Sequence, residues 1–416
     1  MEQAGFRVYG YRWVVLIVYM LVVAINQLMW ITFAPITSDA TQFYRVSDLS
    51  IGLLSMSFMI VYIIFSFPAS WVIDTYGIRV GVGIGAALTG VFGILRGILG
   101  ADYNWVLITQ IGIAIGQPFV LNALTTVAAR WFPVRERATA AGMGSLAMYV
   151  GIVAGLALTP YLILQHSIVD MLIIYGAVAV VSSLVFLIFS REQPPTPPCP
   201  PGMEVRSLVL DGLKDALHNR DFLFLMAIFF VGLGAFNAVT TWIENIVAPR
   251  GFSSTQAGII GGLMIVGGVV GAVILPTLSD RYHRRKPFVV IALTGAVIGM
   301  AGVTYATSYT LLLVAAFALG FFLLSSGPIG FTYGAEMTYP TPEGTSNGLL
   351  LMMGQISGII FIFGMNLLET PPDNSMTLSM VILIVLMALS LALSGLLKES
   401  KAPLATGAPA EAASED

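Results

Sequence analysis

Most of the polar side chains that could bind a solute stand alone inside long apolar runs of this sequence. Trp30 follows Asn26 by four residues, so the two share one face of a helix. A Trp ring attracts a cation over its face, and amide or hydroxyl groups can hydrogen-bond a small solute. The alternative for each residue is packing or a hydrogen bond between neighbouring helices. The candidate binding residues are Asn26, Trp30, Gln117, Tyr149, Asn237 and Gln355.

A charged signature occurs twice in the chain, once as PASWVIDTYGIRV and once as PTLSDRYHRRKPF. An acid near a helix end can pair with basic residues and with a neighbouring helix dipole. The signature therefore predicts a latch in each half that holds one access state closed. Ordinary enrichment of basic residues explains the Arg and Lys residues but not an acid at the matching place. The predicted gating residues are Asp74, Gly77, Arg79, Asp280, Arg281 and Arg284.

The elements that must position these residues are membrane-spanning helices. Hydrophobic residues make up 57% of the 416 residues and charged residues only 10%, whereas soluble domains carry about 25% charged residues. A helix needs about 20 apolar residues to cross a bilayer. The sequence therefore predicts an all-α integral membrane protein with twelve transmembrane helices. The apolar runs lie near residues 13–35, 51–73, 79–99, 104–129, 138–163, 168–190, 221–247, 255–279, 287–307, 309–333, 345–368 and 375–397.

The basic residues predict the orientation of these helices. If the N-terminus is cytoplasmic, all but three of the 19 Lys and Arg residues lie on the cytoplasmic side, as is typical of membrane proteins. The exceptions are Arg45 and Arg250 in outer loops and Arg96 in span three, which we expect to snorkel to the outer interface. We therefore expect a multi-pass protein of the cell membrane with both termini in the cytoplasm.

A proline cluster divides the chain, because PPTPPCPP cannot form a membrane helix. The predicted parts are an N-terminal six-helix bundle at 1–192, a cytoplasmic linker at 193–218, a C-terminal six-helix bundle at 219–398 and a disordered tail at 399–416.

Twelve spans arranged as six plus six, a long central linker and the Asp-x-x-Gly-x-Arg signature resemble the major facilitator superfamily over the whole chain. The resemblance implies two pseudo-symmetric bundles that rock around a central cavity, which opens to each side in turn. The stretch GPIGFTYGAEMTYPTPEGTSNGLLLMMGQISGIIF closely resembles the feline leukaemia virus subgroup C receptor-related family. Members of that family are linked to import of choline and ethanolamine, and some have been associated with haem export.

The resemblance also implies roles for four of the candidate residues. In the family, a span-one Trp, a span-seven Tyr and glutamines of spans five and eleven surround a quaternary ammonium group. Trp30 and Gln355 occupy two of these positions, whereas Asn237 replaces the Tyr and Tyr149 replaces the span-five Gln. Either the cage is rebuilt with its second ring on the opposite wall, or the substrate differs.

The interpretation is a secondary transporter that moves a choline-like cation or zwitterion by facilitated alternating access. No Asp or Glu lies in the middle third of any predicted span, and such acids are the usual proton relays. Gln110 replaces the superfamily's span-four Arg, which often accompanies proton coupling. The alternatives are an organic-anion or drug-like solute exporter or exchanger, and a receptor that does not translocate its solute.

The sequence does not favour an enzyme, because it has no nucleophile–base set and no metal cluster. We expect no cofactor and no nucleic-acid partner. The expected partners are a small-molecule substrate and membrane lipids, and the expected oligomeric state is a monomer.

Overall fold

The computed structural model describes residues 8–196, 217–282, 284–338, 343–370 and 375–399, so most of the predicted linker and tail lie outside the described residues. Twelve helices in these parts are long and apolar enough to cross a membrane, which confirms the predicted count. They are α1 (Tyr11–Ile31), α2 (Asp48–Tyr76), α3 (Ile78–Ile98), α4 (Tyr103–Leu121), α5 (Val134–Ile163), α6 (Ile168–Phe189), α7 (Arg220–Thr241), α8 (Ser254–Tyr282), α9 (Lys286–Tyr305), α10 (Tyr309–Thr338), α11 (Glu343–Leu367) and α12 (Thr377–Leu396).

Polar residues in the connections fix where several helices begin. The side chains of Ser47, Asp102 and Asn219 accept backbone N–H groups of the first turns of α2, α4 and α7. Ser167 and Asp170 form a reciprocal capping box at the start of α6. Short helices at Thr37–Tyr44, Leu124–Trp131 and Ile243–Val247 follow α1, α4 and α7. The first and fourth spans are therefore longer than the hydropathy pattern predicts.

Two pairs of spans make the largest contacts between the first six-helix set and the second, namely α2 with α11 and α5 with α8, and the short helices after α1 add smaller ones. We call the side on which α1 begins the terminal face and the opposite side the distal face. Because the spans alternate in direction, α12 ends at the terminal face. That the terminal face is cytoplasmic stays a prediction.

The seam between the two halves is closed at the distal face and open at the terminal face. Both α2 and α8 lie wholly within the described residues. Most residues of α2 from 51 to 61 are buried. In the half of α2 that is nearer the terminal face, only Ala69 and Ile73 are buried. In α8, burial is dense from residue 257 to 268, and beyond it only Gly271, Leu275 and Ser279 are buried. The gap between the halves therefore opens toward the terminal face.

Glycine allows α5 and α8 to touch at the closed end of the seam. A Cβ atom placed on Gly258 of α8 would lie 2.1 Å from the carbonyl oxygen of Leu156 in α5. One turn further along α8, a Cβ atom on Gly262 would have Val153 as its nearest neighbour, at 3.9 Å. The two backbones can therefore approach this closely only because residue 258 has no side chain.

We expect Gly258→Ala to lower the free energy of unfolding by about 1–3 kcal/mol, because the added methyl group overpacks the seam. Gly262→Ala is the matched control on the same helix, and it should leave stability unchanged or slightly raise it. Thermal unfolding of the two purified variants measures the difference. Equal melting temperatures for the two variants would contradict a close approach at residue 258.

Candidate functional site

Contacts of α1 with its neighbours fix the directions in which its polar residues point. The amide nitrogen of Asn26 donates to the hydroxyl oxygen of Thr89 in α3, at 3.1 Å. The indole N–H of Trp30 donates to the carbonyl oxygen of Ser55 in α2, at 3.3 Å. Asn26 thus points to a helix of its own half, whereas Trp30 points to a helix of the seam.

Tyr149 lies on the face of α5 that is turned toward the second half. Val153 and Leu156, four and seven residues later, pack beside Gly262 and Gly258 of α8, and helical spacing puts Tyr149 on the same face. Tyr149 is half-buried, and the described residues offer its hydroxyl no hydrogen bond. It stands on the terminal side of the α5–α8 contact, where the gap begins.

Asn237 and Gln355 lie together where α7 and α11 meet α2. The amide nitrogen of Asn237 donates to the carbonyl oxygen of Gly354, at 3.1 Å. One turn later in α11, Gly358 packs against both Asn237 and Met59 of α2. Gln355 is half-buried and has no hydrogen-bond partner among the described residues. The structure therefore brings Asn237 and Gln355 to the seam from the second half.

Gln117 lies on the face of α4 that is turned toward α1 and α2. Two turns before it, the amide nitrogen of Gln110 donates to the carbonyl oxygens of Met29 and Leu54, both at 3.3 Å. Gln117 is 6% exposed, and its side chain has no hydrogen-bond partner in the described parts of the chain. Its amide N–H and carbonyl groups are therefore free to bind a solute on the terminal side of the packed end of the seam.

Arg96 does not snorkel to the interface as the sequence predicts. Its side chain is fully buried and donates to the carbonyl oxygen of Met29, at 3.1 Å, and to the side-chain oxygen of Gln110, at 2.6 Å. Its guanidinium also lies over the ring of Phe33. The prediction is wrong because neighbouring helices supply carbonyl and amide oxygens that an isolated span would have to find at the headgroups.

The first charged signature is built around an acid that the sequence pattern does not include. Both carboxylate oxygens of Glu192 accept backbone N–H groups of α3, from Ile78 at 3.0 Å and Arg79 at 2.8 Å, and Arg130 pairs with the same carboxylate. Gly77 has a φ of 92° and lies against this carboxylate. The side chain of Asp74 is exposed and has no polar partner among the described residues.

The second signature repeats this arrangement around Arg285. Glu399 accepts the backbone N–H groups of Arg285 and Lys286 at the start of α9. The Arg285 side chain pairs with Asp280 and with Glu336 of α10. The predicted Arg281 and Arg284 side chains are exposed. A basic–acidic pair directly after the sixth span of each half, Arg191–Glu192 and Lys398–Glu399, is the sequence signal that could have identified these acids.

At the distal face, polar contacts join the two halves. Glu244 accepts the backbone N–H of Ser38 at 2.9 Å, and its other oxygen lies 2.9 Å from the hydroxyl of Ser254, which is 3.2 Å from Asp39. A third contact between the halves is the hydrogen bond from the amide nitrogen of Asn245 to Asp48. Glu244 is 2% exposed, and burial raises its pKa to about 7. The closed distal seam is therefore favoured by protonation of Glu244.

We expect Gly77→Ala to lower the free energy of unfolding by about 2–4 kcal/mol, because it strains the backbone and displaces the Glu192 carboxylate. Gly251 also has a positive φ, of 85°, but has open space around it. Gly251→Ala should therefore cost only the backbone strain, about 1–2 kcal/mol. Thermal unfolding compares the two, and equal losses would show that contact with Glu192 contributes nothing.

Glu244→Gln should stabilise the protein at alkaline pH and leave it unchanged at acid pH. Since the raised pKa favours the protonated carboxyl in the folded protein, its contribution is complete at low pH and is lost as pH rises through about 7. Gln keeps the acceptor for the Ser38 N–H and carries no charge. The gain above pH 8 has an upper limit of about 3 kcal/mol, since one pKa unit corresponds to ~1.4 kcal/mol.

Melting temperatures of Glu244→Gln and the unchanged protein at pH 5 and pH 8.5 measure this effect. Asp102→Asn is the control, because it changes an acid at an exposed helix cap of the same face and keeps the capping oxygen. A difference between Glu244→Gln and the unchanged protein that is equal at both pH values would contradict the prediction.

Residues 16–362 match the profile of the Major Facilitator Superfamily. Among curated proteins, the chain is 32% identical to "Solute carrier family 49 member A3" of Danio rerio over 387 residues, which cover 89% of this chain and 81% of that protein. It is 29% identical to "Choline/ethanolamine transporter FLVCR1" of Mus musculus over 420 aligned residues, which cover 93% of this chain and 75% of that protein.

Among solved structures, the crystal structure of a D-xylose–proton symporter superposes with a TM-score of 0.75 and covers 95% of this chain and all of that chain. Its sequence is 16% identical, so the likeness concerns the fold. Together with the twelve spans and the two charged signatures, these matches exclude an enzyme and identify a membrane transporter. The chain belongs to the major facilitator superfamily of secondary transporters, and within it resembles the feline leukaemia virus subgroup C receptor-related family.

Proposed function

We propose that this transporter carries a small amino alcohol of the choline class, a cation or a zwitterion, by facilitated alternating access. The observation that supports the proposal is that Trp30 of α1 points to α2, a helix of the seam. Its N–H is bonded to Ser55, so the ring is fixed and can present its π face to a cation. The related mouse and fish proteins named choline/ethanolamine transporters point to the same substrate class.

The second ring of such a site would be Tyr149, which approaches from α5 on the other side of the gap. Asn237 and Gln355 add amide groups from the second half, and Gln117 adds one from the first. Asn26, whose amide nitrogen donates to Thr89, would hold α1 against α3. This set is mostly neutral, so it would hold a cation by cation–π attraction and hydrogen bonds.

The closed distal seam and the open terminal gap support alternating access. The described polar contacts across the distal face are few, and the α5–α8 contact depends on a glycine. Each charged signature is bonded within its own half. Rocking of two firm bodies would therefore break only the distal contacts. The absence of an acid from the middle third of each predicted span supports facilitated movement over strong proton drive.

The alternative of an organic-anion carrier has less support. Among the described residues, Arg96 is the only buried Arg or Lys, and its guanidinium is occupied by Met29, Gln110 and Phe33. An anion would have to displace these groups to reach it.

The proposal is tested by thermal stabilisation of the purified protein with choline, ethanolamine, betaine, xylose and citrate. A ligand at 100 times its dissociation constant stabilises the folded state by ~2.7 kcal/mol. We expect choline or ethanolamine to stabilise the protein, Trp30→Ala to weaken binding at least about tenfold, and Trp30→Phe to weaken it less. Trp105→Ala is the control, because Trp105 is 51% exposed in the first turn of α4, at the closed distal end and away from the gap.

Uptake of labelled choline into liposomes that contain the protein then separates a carrier from a receptor. Stabilisation by xylose or citrate but by none of the amines would overturn the proposed substrate class. Binding without any flux would identify the non-translocating receptor. Unchanged binding by Trp30→Ala would remove Trp30 from the site, and uptake that depends steeply on an imposed pH gradient would contradict facilitated movement.

A further inference from the structure

Gln27 is a buried amide that none of the sequence patterns singles out. Its side chain is 3% exposed, yet the described residues offer it no hydrogen bond. Its amide nitrogen is completely enclosed without a partner, whereas its carbonyl oxygen is not among the enclosed atoms. Unpartnered buried amides destabilise a fold and are rare in native proteins. A residue of this kind inside α1 therefore requires an explanation.

The contacts of α1 show where Gln27 points. Successive residues of a helix are about 100° apart around its axis. Trp30 is directed at α2, and Ala24 is directed at α5, because Gly151 of α5 packs against its carbonyl group. Viewed down the axis of α1, the direction of Gln27 lies between these two directions, about 60° from each. It therefore points into the sector between α2 and α5.

This sector is the one that faces the second half. Helices α2 and α5 are the spans of the first half that pack most against α11 and α8, so the space between them opens onto the gap. Asn26, the residue before Gln27, points about 100° away, toward Thr89 of α3. Of the two adjacent amides, Gln27 is thus the one directed at the gap, whereas Asn26 is tied to its own half through its nitrogen and keeps an enclosed oxygen without a partner.

We infer that Gln27 binds the substrate, and that its amide recognises the hydroxyl group of a small amino alcohol while Trp30 holds the nitrogen. The inference rests on the proposed function. Gln27 and Trp30 are three residues apart on neighbouring helical turns, so their Cβ atoms are about 5–6 Å apart. In this substrate class the hydroxyl stands two carbons from the nitrogen. The carbonyl oxygen of Gln27 is the end of this amide that is not enclosed, and it can accept a hydrogen bond from that hydroxyl.

The direction of Gln27 can be tested without any substrate. The sequence has a single cysteine, Cys199, so Cys199→Ser gives a background free of thiols. In that background, Gln27→Cys and Asn26→Cys are treated with aminoethyl methanethiosulfonate, a small cationic thiol reagent. We expect Gln27→Cys to react at least about tenfold faster, because only it faces the gap. Equal reaction rates, or a faster reaction of Asn26→Cys, would overturn the inference.

The role of Gln27 in recognition is tested with choline and ethyltrimethylammonium, which differ by the hydroxyl group. We expect the unchanged protein to bind choline more tightly by about three- to tenfold, as one hydrogen bond provides. Gln27→Leu should abolish this preference, keep its affinity for ethyltrimethylammonium and melt no lower than the unchanged protein. Asn26→Leu is the matched control, and it should keep the preference but melt lower, because Thr89 loses its partner.

The outcomes separate the two proposals. If neither choline nor ethanolamine binds the unchanged protein, the proposed amino-alcohol substrate is wrong, and with it hydroxyl recognition by Gln27. If choline binds and Gln27→Leu keeps the full preference for it, the role of Gln27 is wrong and the proposed function stands. If Gln27→Leu melts lower and loses both compounds equally, Gln27 supports the fold and does not recognise the hydroxyl.

Discussion

In each half of this transporter, one carboxylate ties the end of the sixth span to the N-terminus of the third span. Glu192 and Glu399 follow the sixth span of their halves, and each accepts two N–H groups from the first turn of the third span. These are the backbone donors that no intrahelical acceptor can satisfy, and the helix dipole favours a negative charge there. The contact ties the last helix of a half to its middle, so that six helices behave as one body.

The seam between the bodies is built differently. Several contacts within each half are charge-assisted. The distal seam instead depends on the α5–α8 glycine contact, three polar contacts and Trp242, which packs on Gly52. Four acids, Asp39, Asp48, Glu244 and Glu369, lie in this region, and no described salt bridge neutralises them. Their repulsion limits the strength of closure. A seam that is weaker than the bodies it joins is what a rocking transporter needs.

The sequence predicts the spans well because hydropathy over about 20 residues depends on the bilayer and hardly on neighbouring helices. It predicts the direction of single side chains poorly, since one position along a helix turns a side chain by about 100°. Asn26 and Gln27 are chemically alike, and only the contacts of α1 with α2, α3 and α5 distinguish them. The charged signature does not predict the role of Glu192, because the backbone N–H groups that this carboxylate accepts lie more than a hundred residues away in the chain.

Arg96 has a consequence for how the protein enters the membrane. Taken alone, α3 would bring a guanidinium into lipid, which opposes insertion of a single helix by up to about 2.5–3.5 kcal/mol. In the folded chain this charge is shared between a carbonyl oxygen of α1 and an amide of α4. Because α4 is made after α3, the partners of this charge are complete only when the fourth span has been inserted. We therefore expect α1, α3 and α4 to enter the bilayer cooperatively.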